Sequence, residues 1–343
     1  MTTDGKCIYG FISTDEPENL GAIGIDQGEV HIISYQDIAA VVSDSPFMPF
    51  DSLPKETLLR NLAIYQAVIE RVMKDHHIIP VKFGTTVQGE EELKRILEKG
   101  YGQINSNLKE MEDKIELDVA ALWSDLETVL KEIGEEGEIK RLKEEAASRS
   151  SDQVFEVKIN VGKLVKASLD KKREECASHI LDVLKRETHD HRYHSVMDDS
   201  MILNAAFLIN KDKQDLFEGK VGELDRHYQD KINFRIVGPL PPYSFSTFEI
   251  TKVEFAELNE AREMLGLGKE TTAMEIRETY RDLTRKFHPD KLPGNQEAQD
   301  RFEKIHKAYH MLSDYCNEER CSFKEVVVRE WLSVRPAEQS GTV

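Results

Sequence analysis

Apolar residues recur at helical spacing in two neighbouring stretches near the C-terminal end of the chain. Between Thr272 and Phe287 they fall at Ile276, Tyr280, Leu283 and Phe287, spaced four, three and four, which is one face of a helix. Between Gln296 and Leu312 they fall at Phe302, Ile305, Tyr309 and Leu312, with Ala308 beside them. Pro289 ends the first helix, because proline disfavours helical geometry in the residue before it. Pro293-Gly294-Asn295 completes the connector. Thr271 or Thr272 caps the first helix, and Glu275 stands where Thr272 would need a capping-box carboxylate.

Upstream, the pattern alternates between strand and helix. Lys6 to Ile12, Glu29 to Ser34 and Ile38 to Ser43 read as strands. The last is a continuous run of small apolar residues, which fits a strand covered on both faces. Pro46, Pro49 and Pro54 punctuate a loop. Lys55 to Lys74 carries a helical stripe of Leu58, Leu62, Tyr65, Ile69 and Val72, closed by His76-His77. Ile78 to Thr85 is a strand entering a turn, and Gly89 to Gly100 a charged helix. Residues 1–105 therefore read as a first α+β domain.

Lys114 to Ala120 alternates, with Ile115, Leu117 and Val119 on one face. Ala121 to Ala147 is helical in composition and interrupted at Gly134 to Gly137. A second charged helix runs from Ser150 or Ser151 to Glu187, and the two suggest a projecting helical hairpin. Tyr193 to Met197 and Ser200 to Ile209 are strands around an Asp198-Asp199 turn. Lys211 to Gln229 is a helix with Leu216, Phe217, Val221, Leu224 and Tyr228 inward. Lys231 to Val237 alternates again. The order β-α-β-β-α-β is ferredoxin-like, with the first crossover enlarged. This second α+β domain spans 106–248. Its end, Gly238-Pro239-Leu240-Pro241-Pro242-Tyr243-Ser244-Phe245, cannot be a central strand or a helix interior. Thr251 to Leu265 is helical and opens an all-α segment over 249–320. A tail over 321–343 leans towards strand at Val326-Val327-Val328 and is expected to fray from Pro336.

Composition narrows the class. In 343 residues, 39% are hydrophobic and 32% charged, which supports real cores under a charged surface. A net charge of -18 argues against a nucleic-acid partner, since phosphate attraction needs a basic surface. No window is long and apolar enough to span a bilayer. Met1 to Gly5 lacks the basic and apolar regions of a signal peptide, so a soluble cytoplasmic protein is expected. Cys7, Cys176, Cys316 and Cys321 are too few and too scattered for a disulfide framework.

Leu265-Gly266-Leu267, Tyr280-Arg281-Asp282-Leu283, His288-Pro289-Asp290-Lys291, Phe302-Glu303-Lys304-Ile305 and Ala308-Tyr309 together resemble a J domain, the module of DnaJ-type co-chaperones. The resemblance implies that His288, Pro289 and Asp290 engage a DnaK-type chaperone ATPase and stimulate its hydrolysis. The basic face of the preceding helix (Arg277, Arg281, Arg285 and Lys286) would then dock on an acidic partner surface. Glu275, Glu278 and Asp282 dilute that face. The alternative is a helical hairpin that packs on its own protein without a chaperone partner. A fourth helix after the hairpin is not evident.

A second resemblance covers the first 245 residues. Ile8 to Ile12, Asp37 to Ser43, Pro80-Val81-Lys82-Phe83-Gly84-Thr85 and Phe234 to Phe245 are similar to ordered motifs of the gas vesicle GvpF/GvpL family, with Lys82 for an arginine and Leu240 where tryptophan is frequent. This implies two linked α+β domains and contact with the small hydrophobic shell protein and other gas vesicle proteins. Pro239, Pro241, Pro242, Tyr243 and Phe245 are candidates for that contact, or for a rigid turn that packs the end of the domain.

Other chemistry is weakly signalled. His189, His191 and His194, with Asp190 and Asp198, have metal-ligand residue types but no partner set elsewhere in the chain. Cys316 and Cys321 lack the second pair that a zinc site needs. No GxSxG, phosphate loop or GxGxxG follows a strand, so no enzyme and no cofactor is expected. The combined reading is a cytoplasmic, vesicle-associated assembly factor whose J-like domain recruits a chaperone ATPase. The alternatives are a minor structural component of the vesicle and a general co-chaperone with other clients.

Overall fold

The computed structural model describes residues 5–45, 53–147, 151–252, 255–288, 291, 296–316, 321–324 and 332–336. They form two compact units assembled from separated stretches. One draws on Met1–Tyr65, Val81–Ser106 and Phe248–Ala337. The other draws on Gln66–Pro80 and Asn107–Thr247.

The N-terminal part carries β1 (Gly5–Ile12), β2 (Asn19–Gly21), β3 (Val30–Tyr35), β4 (Ile38–Ser45), α1 (Lys55–Val72), β5 (Ile78–Pro80), β6 (Thr86–Gln88) and α2 (Gly89–Glu110). The first unit's strands run β2-β3-β4-β1, and β6 pairs with the start of β1 on its other side. All of these pairs are antiparallel. β4 is buried on both faces through Ser43, as its unbroken apolar run requires. The Tyr9 hydroxyl, inside this core, is 2.8 Å from Ser43 Oγ and accepts from the Ile25 amide at 3.1 Å. Helix α2 outruns the expected end at Gly100 and continues to Glu110, burying Ile104 and Leu108.

The second unit holds β7 (Lys114–Trp123), α3 (Leu126–Gly134), α4 (Gly137–Ala147), α5 (Ser151–Leu184), β8 (Asp190–Tyr193), β9 (Met201–Asn210), α6 (Gln214–Tyr228) and β10 (Ile232–Leu240). The sheet order is β10-β7-β9-β8 with every pair antiparallel. In order of appearance that is 4-1-3-2, the ferredoxin-like arrangement. Leu117, Val119, Phe207 and Phe217 are fully buried between the sheet and helices α5 and α6. Each such side chain contributes about 1.5–3 kcal/mol.

The enlarged crossover is α3, α4 and α5, broken at Gly134–Gly137 as the sequence suggests. Asp125 caps α3 through the Thr128 amide. Three expectations in this unit fail. Ala121 to Trp123 continue strand β7 rather than opening the helix, because they pair with β9 and β10. β8 ends at Tyr193, and 194–197 are not strand; Val196 and Met197 are exposed. Leu216 is 47% exposed, because Phe217 and Val221 take the inward face of α6.

The chain then returns to the first unit with β11 (Phe248–Lys252), α7 (Phe255–Leu265), β12 (Glu270–Thr271), α8 (Ala273–Phe287), α9 (Gln296–Tyr315), β13 (Cys321–Ser322) and β14 (Leu332–Pro336). Thr251 is in a strand rather than the helix expected to begin there. The strand bias at Val326-Val327-Val328 lies outside the described residues, as does the tail after Pro336. The segment ending at Pro336 is strand β14, antiparallel to β11. Cys316 and Cys321 are disulfide-bonded, a pairing the scattered cysteines did not suggest.

Candidate functional site

Two surfaces carry the chemistry singled out in the sequence, one in each unit. The first is the helical module over 255–324. Helix α8 starts with the expected capping box: Thr272 Oγ1 accepts from the Glu275 amide, and Glu275 accepts from the Thr272 amide. Such a cap stabilises a helix start by about 1 kcal/mol. Ile276 on α8, Ile305, Ala308 and Leu312 on α9, and Leu258, Ala261 and Leu265 on α7 form one buried core. The Tyr280 and Tyr309 rings stack at 4.0 Å, which sets the spacing of α8 and α9 at mid-length.

Arg277, Arg281, Arg285 and Lys286 all face solvent. Arg277, Arg281 and Arg285 recur every four residues, so they share one side of α8. Arg285 lies 3.9 Å from Asp282, an exposed pair that contributes little to stability. His288 closes α8 in extended geometry, as the proline after it demands. Its ring meets Phe302 of α9 edge-on at 5.7 Å and remains exposed. Pro289 and Asp290 lie outside the described residues.

A feature the sequence did not signal closes this module. After α9, Ser322 and Cys321 pair with Glu270 and Thr271, and Phe323 drops into the core at 2% exposure. The Tyr315 hydroxyl donates to the Ser322 carbonyl, and the Phe323 amide donates to the Lys269 carbonyl at 2.8 Å.

The base of the module is equally fixed. β11 is held by the parallel bridge between Val81 and Phe248, by the Lys82 amide on the Phe248 carbonyl at 2.8 Å, and by Lys82 Nζ on Glu249 at 2.7 Å. Phe248 is fully buried and meets Phe11 edge-on at 5.4 Å. β14 then pairs with β11, so both ends of the helical module leave from one two-stranded ribbon.

The second surface is the proline-rich end of the ferredoxin-like unit. β10 is an edge strand, which is why it tolerates Pro239. The Gly238-Pro239 peptide is cis, and Gly238 has φ 144°. A Cβ there would meet Leu117 Cδ2 at 2.6 Å and the Glu116 carbonyl at 2.9 Å, so only glycine fits. Pro241 and Pro242 are buried, Tyr243 and Phe245 half-buried, and Pro239 exposed.

Glu116 on β7 anchors the turn. It is 1% exposed and accepts from the Ser244 amide and the Ser244 hydroxyl, each at 2.7 Å. Burial pushes its carboxyl up to about 8, against the lowering effect of the Ser244 hydrogen bonds and with Asp118 adding to the rise. Burial raises Asp118 as well. The Tyr243 phenol is also raised, chiefly by burial and next by Glu116.

The three candidate histidines do not converge. His189 Nε2 lies 2.7 Å from Asn210 Oδ1, the His191 ring packs on Tyr193 and Phe207, and His194 Nε2 lies 3.4 Å from Ser244 Oγ. Asp190 accepts from the His191 amide, and Asp198 from Ser200. Among the described residues no group of three or more His, Cys, Asp or Glu is placed to hold a metal ion. None of the helices described is long and apolar enough to cross a membrane.

The fold and these surfaces define a class: a ferredoxin-like α+β protein that carries a J-type helical module on an anchored ribbon. The family model described as "Gas vesicle synthesis protein GvpL/GvpF" matches residues 5–247, and that of the DnaJ domain matches residues 260–321. The chain belongs to the GvpL/GvpF family and carries a DnaJ domain at its C-terminal side.

Gas vesicle protein F of Streptomyces sp. (strain CB03234) is 26% identical over 241 residues, covering 69% of this chain and 98% of that protein. The DnaJ-related protein spj1 of Schizosaccharomyces pombe is 51% identical over 53 residues, 16% of this chain and 14% of spj1. The crystal structure of gas vesicle protein GvpF from Anabaena sp. PCC7120 superposes with a TM-score of 0.60 at 22% identity, over 71% of this chain and 98% of that one. That of GvpF from Microcystis aeruginosa gives 0.57 at 22% identity, over 71% and 99%. These likenesses establish the fold of the gas vesicle part. The relatives of that part are named as gas vesicle proteins, and the DnaJ domain is a co-chaperone module.

Proposed function

We propose that the protein is a gas vesicle assembly factor that binds the hydrophobic shell protein and recruits a DnaK-type chaperone ATPase through its J module. The observation that carries this reading is the placement of His288 at the solvent end of α8, beside an arginine face, on a module whose two ends are clamped to the gas vesicle part. A shell subunit must present apolar surface, so it is prone to aggregate before it assembles. A protein that holds it and brings a chaperone to a fixed position answers that need without any catalytic group of its own. Because Pro241 and Pro242 are buried, contact with the shell protein falls to the exposed part of the signature, Pro239 with Val237 beside it.

The test is the ATPase rate of a DnaK-type chaperone with the full chain and shell subunit supplied. The wild type is expected to raise the rate, and His288→Gln and Asp290→Asn to abolish the rise while the protein stays folded. Equal rates for all three would sink the recruitment half. Co-purification of shell protein with the His288→Gln variant tests the other half separately.

A further inference from the structure

His306 and His310 stand one turn apart on α9, with their Nε2 atoms 3.1 Å from each other and their rings at 80°. His306 Nδ1 is 2.8 Å from the Tyr280 hydroxyl of α8. We propose that this pair is a two-imidazole chelate for a divalent transition metal ion of the zinc, nickel or copper type, oriented by Tyr280.

The geometry supports this in three ways. Two imidazole nitrogens at about 2.05 Å from a zinc ion, opened to the tetrahedral angle, lie about 3.3 Å apart. The observed 3.1 Å is about 0.2 Å short of that separation. Residues i and i+4 of a helix are neighbours on its surface, so the backbone holds both rings in place before any ion arrives. The contact with Tyr280 supplies what ligating histidines generally have, a partner on the other ring nitrogen. With His306 Nδ1–H donating to the Tyr280 oxygen, the Nε2 lone pair is the one left for the ion.

Neutral imidazole suits these ions, whereas calcium and magnesium take oxygen donors. Only one proton fits between the two Nε2 atoms in the metal-free pair, and the ion would take its place. His306 is exposed, which gives the ion a route in. Since the described residues place no third His, Cys, Asp or Glu beside the pair, water fills the remaining positions and leaves them open to exchange.

The position matters because the rings run in series. His288 meets Phe302, Phe302 stacks on His306 at 6.4 Å, and His306 meets His310 at 4.5 Å. A bound ion would brace the turn of α9 that Tyr280 ties to α8. The site stands whether or not the chaperone reading holds.

The experiment is isothermal titration of the full-length protein with zinc chloride and, separately, nickel chloride, alongside NMR of the histidine side chains. The wild type is expected to bind an ion that shifts the His306 and His310 ring signals. His306→Gln and His310→Gln should each weaken that binding at least about tenfold. Tyr280→Phe, which keeps the stack on Tyr309, should weaken it by about tenfold, the usual loss for an outer partner. Circular dichroism checks that each variant is folded. Binding that is unchanged in the doubly substituted protein, or ring signals of His306 and His310 that do not move at saturation, would overturn the proposal. Loss in the two histidine variants with none in Tyr280→Phe would remove the orienting role of Tyr280.

Discussion

Gly100 lies against Val334: a Cβ on Gly100 would come within 2.8 Å of Val334 Cγ1 and 3.0 Å of Ile104 Cδ1. A glycine inside helix α2 is thus the seat for the strand that leaves the J module. Alanine in place of a helical glycine ordinarily gains about 1 kcal/mol, whereas overpacking a filled site costs about 1–3 kcal/mol. Gly100→Ala is therefore expected to destabilise the protein or leave it unchanged. In a Val334→Ala background the nearest atom is gone while Val334 Cβ at 3.1 Å and Ile104 Cδ1 at 3.0 Å remain, so the same change should cost less than it does in the wild type. Denaturant midpoints of the four proteins measure this cycle. A leucine at 100 should also strip hydrogen-exchange protection from the amides of 248–252.

The Ser244 turn predicts a pH dependence. Glu116 titrates near 8 in the folded protein, above the ordinary value near 4.5, so the native state keeps a proton that the unfolded chain has lost. The associated stability is complete below the ordinary value and is lost as pH rises through the folded one. The loss is on the order of a few kcal/mol, and Asp118, also raised, acts in the same direction. Glu116→Gln keeps an acceptor for Ser244 and should flatten the slope of stability between about pH 5 and about pH 8.5. Urea midpoints at three pH values decide it: an equally steep slope in the variant would assign the effect elsewhere.

Reduction should loosen the end of the J module. The Cys316–Cys321 bond closes a short loop, and a loop of that size contributes about 2 kcal/mol by constraining the unfolded chain. Thiol titration in denaturant is expected to find two reactive groups, Cys7 and Cys176, before reduction and four after it. Cys316→Ala should lower the unfolding temperature of oxidised protein and make it insensitive to reductant.

Phe323 closes the core of α7, α8 and α9. Phe323→Ala removes a side chain that is 2% exposed and should cost about 3–5 kcal/mol. Hydrogen exchange read by mass spectrometry should show the loss in α7 and α9, whereas the β1–β4 sheet should keep its protection.

Much of this protein was legible in one dimension, and the parts that were not share a cause. The capping box at Thr272, the break at Gly134–Gly137 and the β-α-β-β-α-β order are local, and the chain states them directly. The alternation of Ile115, Leu117 and Val119 was also legible, but it implied a wet opposite face. Glu116, on that face, is buried because the proline-rich turn folds over it from 128 residues away. Helix α2 runs ten residues past Gly100, the end expected from the sequence. Only Val334, pressed against it from the far end of the chain, shows why the glycine is there. Phe323 and β14 sat in what read as a tail; Phe323 follows β13, which pairs with β12, and β14 pairs with β11.

Most helices and strands, their order, the family of the gas vesicle part and the J-type character of the C-terminal module were all written in the linear chain. Periodicity, capping and proline geometry act within a few residues, so they survive in the linear text. Four features came only with the folded chain. The J module rises from a clamped ribbon, a disulfide and Phe323 close it, Glu116 holds the signature turn, and His306 meets His310 beside Tyr280. These depend on burial and on contacts between separate segments or side chains, and neither is encoded at any one position.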